Sequence, residues 1–177
     1  MSRMVRDSET SGLRERLFFA QDMLRLLQQQ RELGAARGRL LALRGAVVSH
    51  GYSVLVGLVR QAAKSYQVPD YASRVSLATL EQAFADAGVE APEMALVARA
   101  RRDRADLICW LDQEMMALFG AAGLARRPSP RNETNLLAVA AEDPYAVLED
   151  GDLQRLTAML DRVGTLLEDC APYAQEW

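Results

Sequence analysis

The sequence predicts an all-α protein, an antiparallel bundle of four long helices with one or two short ones. The 177 residues are rich in alanine, leucine, arginine and glutamate, which favour helix. Aromatic residues make up only 6% of the chain, and β-branched residues come in short clusters, not in the alternating runs of strands. Apolar residues instead recur at spacings of three and four, the period of one face of a helix.

The first predicted helix covers about residues 13–33 and follows a polar stretch, residues 1–11, that is expected to be a flexible arm. Residues 12–177 then form a single domain. The apolar face of this helix consists of Leu13, Leu17, Ala20, Leu24 and Leu27. Phe18 and Phe19 are expected to widen that face.

The second predicted helix covers about residues 39–67 and ends before Pro69, because the residue preceding a proline is pushed out of helical geometry. It is apolar on most of its circumference, which predicts a central position in the bundle. Its remaining stripe consists of Gly45, Ser49, Ser53 and Gly57, each four residues apart. Four small side chains in one column predict that a neighbouring helix approaches closely.

The rest of the chain predicts shorter elements. A third helix covers about 76–87, with Ser76 as its N-cap and Gly88 just past its end. A fourth long helix covers about 93–119, and the Gly-, Pro- and Arg-rich residues 120–134 predict an exposed loop. Residues 135–148 hold a short helix, and the last long helix covers 152–170, stopped by Pro172.

The composition excludes several classes of partner and compartment. A net charge of -3 gives no reason to expect nucleic acid. The longest apolar segment, residues 45–59, is shorter than the roughly 20 residues of a membrane span. The polar first residues predict that there is no signal peptide. Two cysteines, Cys109 and Cys170, are too few for a disulfide framework and are expected to be small buried hydrophobes. A reducing cytoplasm and no membrane contact are therefore expected.

His50 is the only histidine of the chain, and it shares a helical row with Val47 and Val54. That row predicts a buried, neutral and hydrogen-bonded imidazole. Arg44, followed after five residues by His50, also resembles the R-x(4–6)-H motif of the HEPN ribonucleases, a helical superfamily. The resemblance implies that Arg44 holds the scissile phosphate and that His50 is the acid–base group, across a dimer.

Seven arginines form a candidate anion-binding set. They are Arg99, Arg101, Arg102, Arg104, Arg126, Arg127 and Arg131. Clustered guanidinium groups attract anionic partners, although the interleaved Asp103 and Asp106 weaken the field. A solvated helix face explains the same pattern. No cofactor or metal is expected, because the chain has no Glu-x-x-His pair, no cysteine pair with zinc-ligand spacing and no glycine-rich phosphate loop.

The run VVSHGYSVLVGLVRQAAKSYQVP resembles a segment of an uncharacterised helical family of small gammaproteobacterial proteins, a domain of unknown function. The matching residues are His50, Tyr52, Val56, Gly57, Leu58, Tyr66 and Pro69. Residues 91–111 and 176–177 are similar as well. The resemblance implies a helical bundle in a bacterial cytoplasm and implies no particular activity.

These observations favour a non-catalytic interaction or assembly module whose partner is a second copy or an unidentified protein. The contact surface is expected near the fourth helix or at the apolar C-terminus, where Leu148, Tyr173 and Trp177 lack local partners. Two alternatives stay open. One is a HEPN-like ribonuclease that uses Arg44 and His50, and the other is an anion or nucleic-acid binder that uses the arginines.

Overall fold

A computed structural model of the chain describes residues 2–120 and 147–175, with side chains described for residues 11–120 and 147–173. In these residues there are six α-helices, one 3-10 turn and no strand, so the predicted all-α class is confirmed. The helices are α1 (Ser2–Glu32), α2 (Arg37–Ser65), α3 (Leu77–Asp86), α4 (Pro92–Arg102), α5 (Leu107–Leu118) and α6 (Asp150–Gln175), with the 3-10 turn at Tyr71–Ser73. The predicted loop at 120–134 and helix at 135–148 lie, apart from residues 120, 147 and 148, outside the described residues.

The helix α1 begins at Ser2, so the backbone of residues 2–11, the segment expected to be a flexible arm, is helical. That prediction rested on the largely polar and charged composition of the segment. Such a composition argues against burial of a segment and says little about its backbone. Methionine, arginine and glutamate favour helix, and extending an existing helix costs far less than nucleating one.

The predicted fourth helix is broken into α4 and α5. The carboxylate of Asp103 accepts a hydrogen bond from the backbone N–H of Ala105 at 2.9 Å, and that of Asp106 accepts one from the N–H of Ile108 at 2.9 Å. Such local bonds compete with the helix and make Asp106 the N-cap of α5. The described residues therefore form three long helices of 31, 29 and 26 residues and three short ones, and not the expected four long helices.

The helix α2 lies at the centre, as the sequence predicts, because it packs against each of the other five α-helices. Val47, Val54 and Leu55 are completely buried on it. By length and composition α2 also passes as a membrane span, but 56% of its most apolar 18-residue window is buried inside the protein. Core helices of soluble proteins meet the same criterion.

The close approach predicted for the small stripe is found at its last member, Gly57, where side chains of α1 pack against α2. A Cβ added at Gly57 would lie 2.6 Å from Cδ2 of Leu13 and 2.8 Å from Nη1 of Arg16. The same Nη1 donates to the backbone carbonyl of Ser53 at 3.4 Å. Because Leu13 and Arg16 meet residues 53–57 while Phe19 meets His50, α1 and α2 run antiparallel.

The helix α6 runs parallel to α2. Arg44 meets Asp152, and seven residues further along α2 a Cβ added at Gly51 would lie 3.2 Å from Cδ2 of Leu160. The helix α6 also extends beyond its predicted end at residue 170, so that Pro172 lies inside it. Proline has helical φ, and near a helix end it removes only one backbone donor, so the last turn continues.

Candidate functional site

Arg44 of α2 makes three side-chain hydrogen bonds, although only 3% of it is exposed. Its Nε and Nη2 donate to the two carboxylate oxygens of Asp152 at 2.7 Å each. Its Nη1 donates to Oε2 of Glu114, also at 2.7 Å. One guanidinium thus joins α2, α5 and α6 inside the protein.

The ion pair between Arg44 and Asp152 is held from several sides. Oδ2 of Asp152 also accepts from the backbone N–H of Leu148, which has a positive φ of 74°. The guanidinium carbons of Arg44 and Arg155 lie 5.8 Å and 4.9 Å from the centroid of the Trp110 ring. Burial alone would lower the pKa of Arg44, but the hydrogen bonds and charges of Asp152 and Glu114 outweigh it and raise the pKa. The guanidinium therefore stays charged.

Arg44 and His50 do not share a cleft within the chain. Six residues of helix separate their directions by about 120°. Arg44 faces α5 and α6, whereas His50 faces α1, where its ring meets the ring of Phe19 edge-on at 6.0 Å. A ribonuclease site of the expected kind needs both groups at one phosphate, and the fold directs them to different sides of α2.

The expectation of a sealed, hydrogen-bonded His50 is wrong. The imidazole is half-buried and contacts the ring of Phe19. It makes no hydrogen bond to any side chain or backbone group of the described residues. His50 stands at the edge of its apolar row, beside the small Ser49 and Ser53. Small neighbours leave a side chain at this position partly open to water.

The arginines of α4 and the following turn do not form a free basic patch. They are Arg99, Arg101, Arg102 and Arg104. Arg101 donates to Glu81 at 2.6 Å and to Asp112 at 3.5 Å, and Arg102 also pairs with Glu81. Arg99 and Arg104 are exposed and make no ion pair within the described residues. The other three members of the predicted set, Arg126, Arg127 and Arg131, lie outside those residues.

Tyr52 has a structural role that the sequence did not reveal. Its hydroxyl donates to Oδ1 of Asp112 at 3.1 Å and accepts from the backbone N–H of Leu77 at 2.9 Å. It thereby ties the first turn of α3 to α2 and α5. Burial, helped by the charge of Asp112, raises the pKa of Tyr52 to about 12.

The two cysteines are free thiols. Cys170 is buried, as expected, and burial together with the charges of Glu93 and Asp169 raises its pKa to about 12. Cys109 is only half-buried. Over the part of the chain that the structure describes, no three histidine, cysteine, aspartate or glutamate residues are grouped so that they could hold a metal ion.

An exposed aromatic pair lies in the middle of α1. Phe18 is 52% exposed and Phe19 is 42% exposed, with their ring centroids 6.3 Å apart. The guanidinium carbon of Arg25 lies 5.7 Å from the centroid of the Phe18 ring, and Arg25 pairs with Asp22 at 3.3 Å. The expectation that both phenylalanines widen the core face is wrong, because Leu13, Ala20, Leu24 and Leu27 already fill it.

The contact patch predicted at the C-terminus is not assembled as expected. Leu148 is buried in the core, and Tyr173 is half-buried. Trp177 lies outside the described residues. The other large exposed apolar side chains of the described residues are Leu33, Val75, Met116 and Phe119. Of all these, only Phe18 and Phe19 form an adjacent pair on a long helix.

No family model, curated protein or solved structure matches this chain.

Proposed function

We propose that the protein is a non-catalytic interaction or assembly module that binds a protein surface through the outer side of α1. The observation that carries this proposal is the exposed pair Phe18 and Phe19. Phenylalanine rings are usually buried, and adjacent exposed rings with charged neighbours are typical of a contact site. The surface lies on α1, whereas the sequence led us to expect it near the fourth helix or at the apolar C-terminus.

The position of the pair suits an interface. The α1 helix is held against α2 and α6 by a row of buried leucines, so the opposite side is presented on a rigid support. Phe19 is further steadied by its contact with the ring of His50. A rigid aromatic side chain loses little conformational entropy when it binds, which favours it as an anchor.

The contacts of Arg44 weigh against the ribonuclease alternative. To hold a phosphate, this guanidinium would have to leave the carboxylates of Asp152 and Glu114 in a dry environment. Leaving a buried charge without its partner costs several kcal/mol, roughly 3–5 by analogy with other buried pairs. A structural role for Arg44 needs no such cost, and the half-buried His50 then serves packing against α1.

We place the protein in a bacterial cytoplasm, as a member of the gammaproteobacterial helical family that its sequence resembles, with no cofactor. We also propose that α4 and α5 together take the place of the fourth long helix in an antiparallel four-helix bundle. Both pack against α2 and α6, and Asp106 at the start of α5 pairs with Arg162 of α6 at 2.9 Å.

The test compares two matched pairs of exposed apolar residues. The variant F18S/F19S changes the proposed surface, and M116S/F119S removes a similarly exposed pair from the end of α5. Tagged proteins are compared for the complexes they form when purified and in extracts of the native host, with thermal unfolding as the control for folding. We expect only F18S/F19S to lose its complexes, with an unchanged unfolding temperature. Complexes that survive F18S/F19S, or that are lost equally in M116S/F119S, overturn the proposal.

A further inference from the structure

We infer that the partner of this surface is a second copy of the chain, bound through an antiparallel crossing of two α1 helices on a two-fold axis at Phe18. The inference rests on the proposed function and specifies its partner. Three residues of α1 carry it, and together they are called the Arg–Phe–Asp row: Arg14, Phe18 and Asp22.

The members of the Arg–Phe–Asp row are four residues apart and all exposed. Residues at that spacing form one continuous ridge along a helix. At a rise of about 1.5 Å per residue, the row is about 12 Å long. That length matches the short contact that two helices make when they cross at a steep angle.

The charges of the row are complementary to the same row turned end for end. A two-fold axis through Phe18 relates position 14 of one copy to position 22 of the other. Arg14 then lies beside the partner's Asp22, and Asp22 lies beside the partner's Arg14. An interface on a two-fold axis has to be self-complementary in this way, with each contact made twice.

Within one chain these charges are only lightly engaged. Arg14 makes no ion pair with any residue that the structure describes, and Asp22 pairs only with Arg25 among those residues, at 3.3 Å on the surface. Both groups remain available to a second molecule. The row carries one positive and one negative charge on either side of an aromatic ring, so it selects neither an acidic nor a basic partner.

The packing geometry of helices agrees with this pairing. When ridges of residues four apart lie in the matching grooves of a second helix, the helices cross at about 50°. The groove beside the Arg–Phe–Asp row is bounded on its other side by the row of Glu15, Phe19 and Met23. The partner's Phe18 fits this groove between Phe18 and Phe19, and the two-fold axis creates a cluster of four phenylalanines. A single crossing buries a small area, on the order of 1,000 Å². Because small interfaces are typically weak, we expect a dimer with a dissociation constant in the micromolar range.

The test uses charge reversals in the full chain, R14D and D22R. Alone, each variant places like charges at both ends of the crossing, and we expect the dimer dissociation constant to rise at least about tenfold. When the two variants are mixed in equal amounts, the negatively charged row of R14D meets the positively charged row of D22R, and dimers should return. Sedimentation velocity measures association, and thermal unfolding checks that each variant is folded.

Cysteine cross-linking fixes the orientation. In a C109S background, an equal mixture of R14C and D22C should form a disulfide-linked dimer on mild oxidation, whereas R14C alone should not. Cross-linking of R14C to itself would indicate parallel helices and overturn the inference. So would mixed charge variants that remain monomeric.

The two proposals fail in distinguishable ways. If the purified chain is monomeric while F18S/F19S loses a complex with a different protein, the inferred dimer is wrong and the proposed interaction surface on α1 is supported. If F18S/F19S loses no complex of either kind, both proposals fall.

Discussion

Arg44 and Asp152 form a bidentate ion pair in the interior, with both hydrogen bonds at 2.7 Å and both side chains almost fully buried. The pair joins the middle helix of the fold to the first turn of α6. Because Asp152 also accepts from the N–H of Leu148, it holds the backbone just before α6 in place as well. This arrangement assigns a structural role to a residue that the sequence offered as a catalytic candidate.

Replacing Asp152 with asparagine should destabilise the protein strongly. D152N keeps the shape of the side chain but leaves the charge of Arg44 only partly compensated in a dry environment. We expect the free energy of unfolding to fall by about 3–5 kcal/mol. Chemical denaturation followed by circular dichroism measures this change.

The matched control is the ion pair of Arg31 with Asp150, at 2.6 Å, in which Asp150 is 82% exposed. Because water screens an exposed pair, D150N should cost less than about 1 kcal/mol. Similar losses in the free energy of unfolding for D152N and D150N would contradict the claim that burial makes the Arg44–Asp152 pair costly to break.

Two glycines provide a test of the close approach between α1 and α2. A Cβ at Gly57 would lie 2.6 Å from Leu13, whereas a Cβ at Gly164 of α6 would lie 3.6 Å from its nearest neighbour, Leu17. G164A should therefore stabilise the protein by about 0.5–1 kcal/mol through helix propensity alone. G57A should gain clearly less stability than G164A, because the ends of the Leu13 and Arg16 side chains must first move aside. Urea denaturation compares the two, and equal stabilisation by both would contradict the close packing.

Stability should decline in alkaline solution. The pKa values of Tyr52 and Cys170 in the folded protein are both about 12, above their ordinary values of 10.0 and 9.0. The folded state therefore holds these protons more tightly than the unfolded state does. The protonated side chains therefore contribute their full stabilisation of the fold below about pH 9. This contribution is lost as the pH rises toward about 12, by up to about 1.4 kcal/mol per pH unit for each group.

Two variants separate the contributions. C170A should remove the loss of stability between about pH 9 and 10, and Y52F should reduce the loss above about pH 10 while lowering stability at neutral pH. Urea denaturation at a series of pH values measures both effects. A pH dependence identical to that of the unmodified protein in both variants would contradict the burial of these groups.

His50 should be accessible and of modest importance for stability. Because its half-buried ring makes one edge contact with Phe19, H50A should cost less than about 1 kcal/mol, whereas a sealed and hydrogen-bonded histidine would cost about 1–3 kcal/mol. Native protein should form a single diethyl pyrocarbonate adduct at this residue, detectable by mass spectrometry. A ring that reacts only after unfolding would show that it is sealed.

Local signals in the sequence were sufficient for the all-α class and for several details. The apolar circumference of α2 predicted its central position. Ser76 caps α3 as expected, with its hydroxyl accepting from the N–H of Thr79 at 3.2 Å, and Gly88 after this helix has a positive φ of 64°. These features depend on residues within a few positions of one another, so periodicity and capping rules can find them.

Other features depend on contacts that the sequence does not encode locally. Glu114 and Asp152 lie 70 and 108 residues from Arg44, so no spacing rule could have paired them with it. The exposure of Phe18 depends on how many side chains the core accepts from α1, which only packing decides. The break before Asp106 did have a local signal, an aspartate directly before an apolar run, but the helix-forming residues on both sides masked it.

Sedimentation equilibrium of the unmodified chain at about 10–100 μM, concentrations above the micromolar dissociation constant expected, tests the self-association surface on α1 most directly. We expect an average mass that rises with concentration from 19.6 kDa toward twice that value, and F18S should hold the mass at 19.6 kDa throughout. A mass of 19.6 kDa at every concentration, or a dimer unaffected by F18S, would contradict that surface.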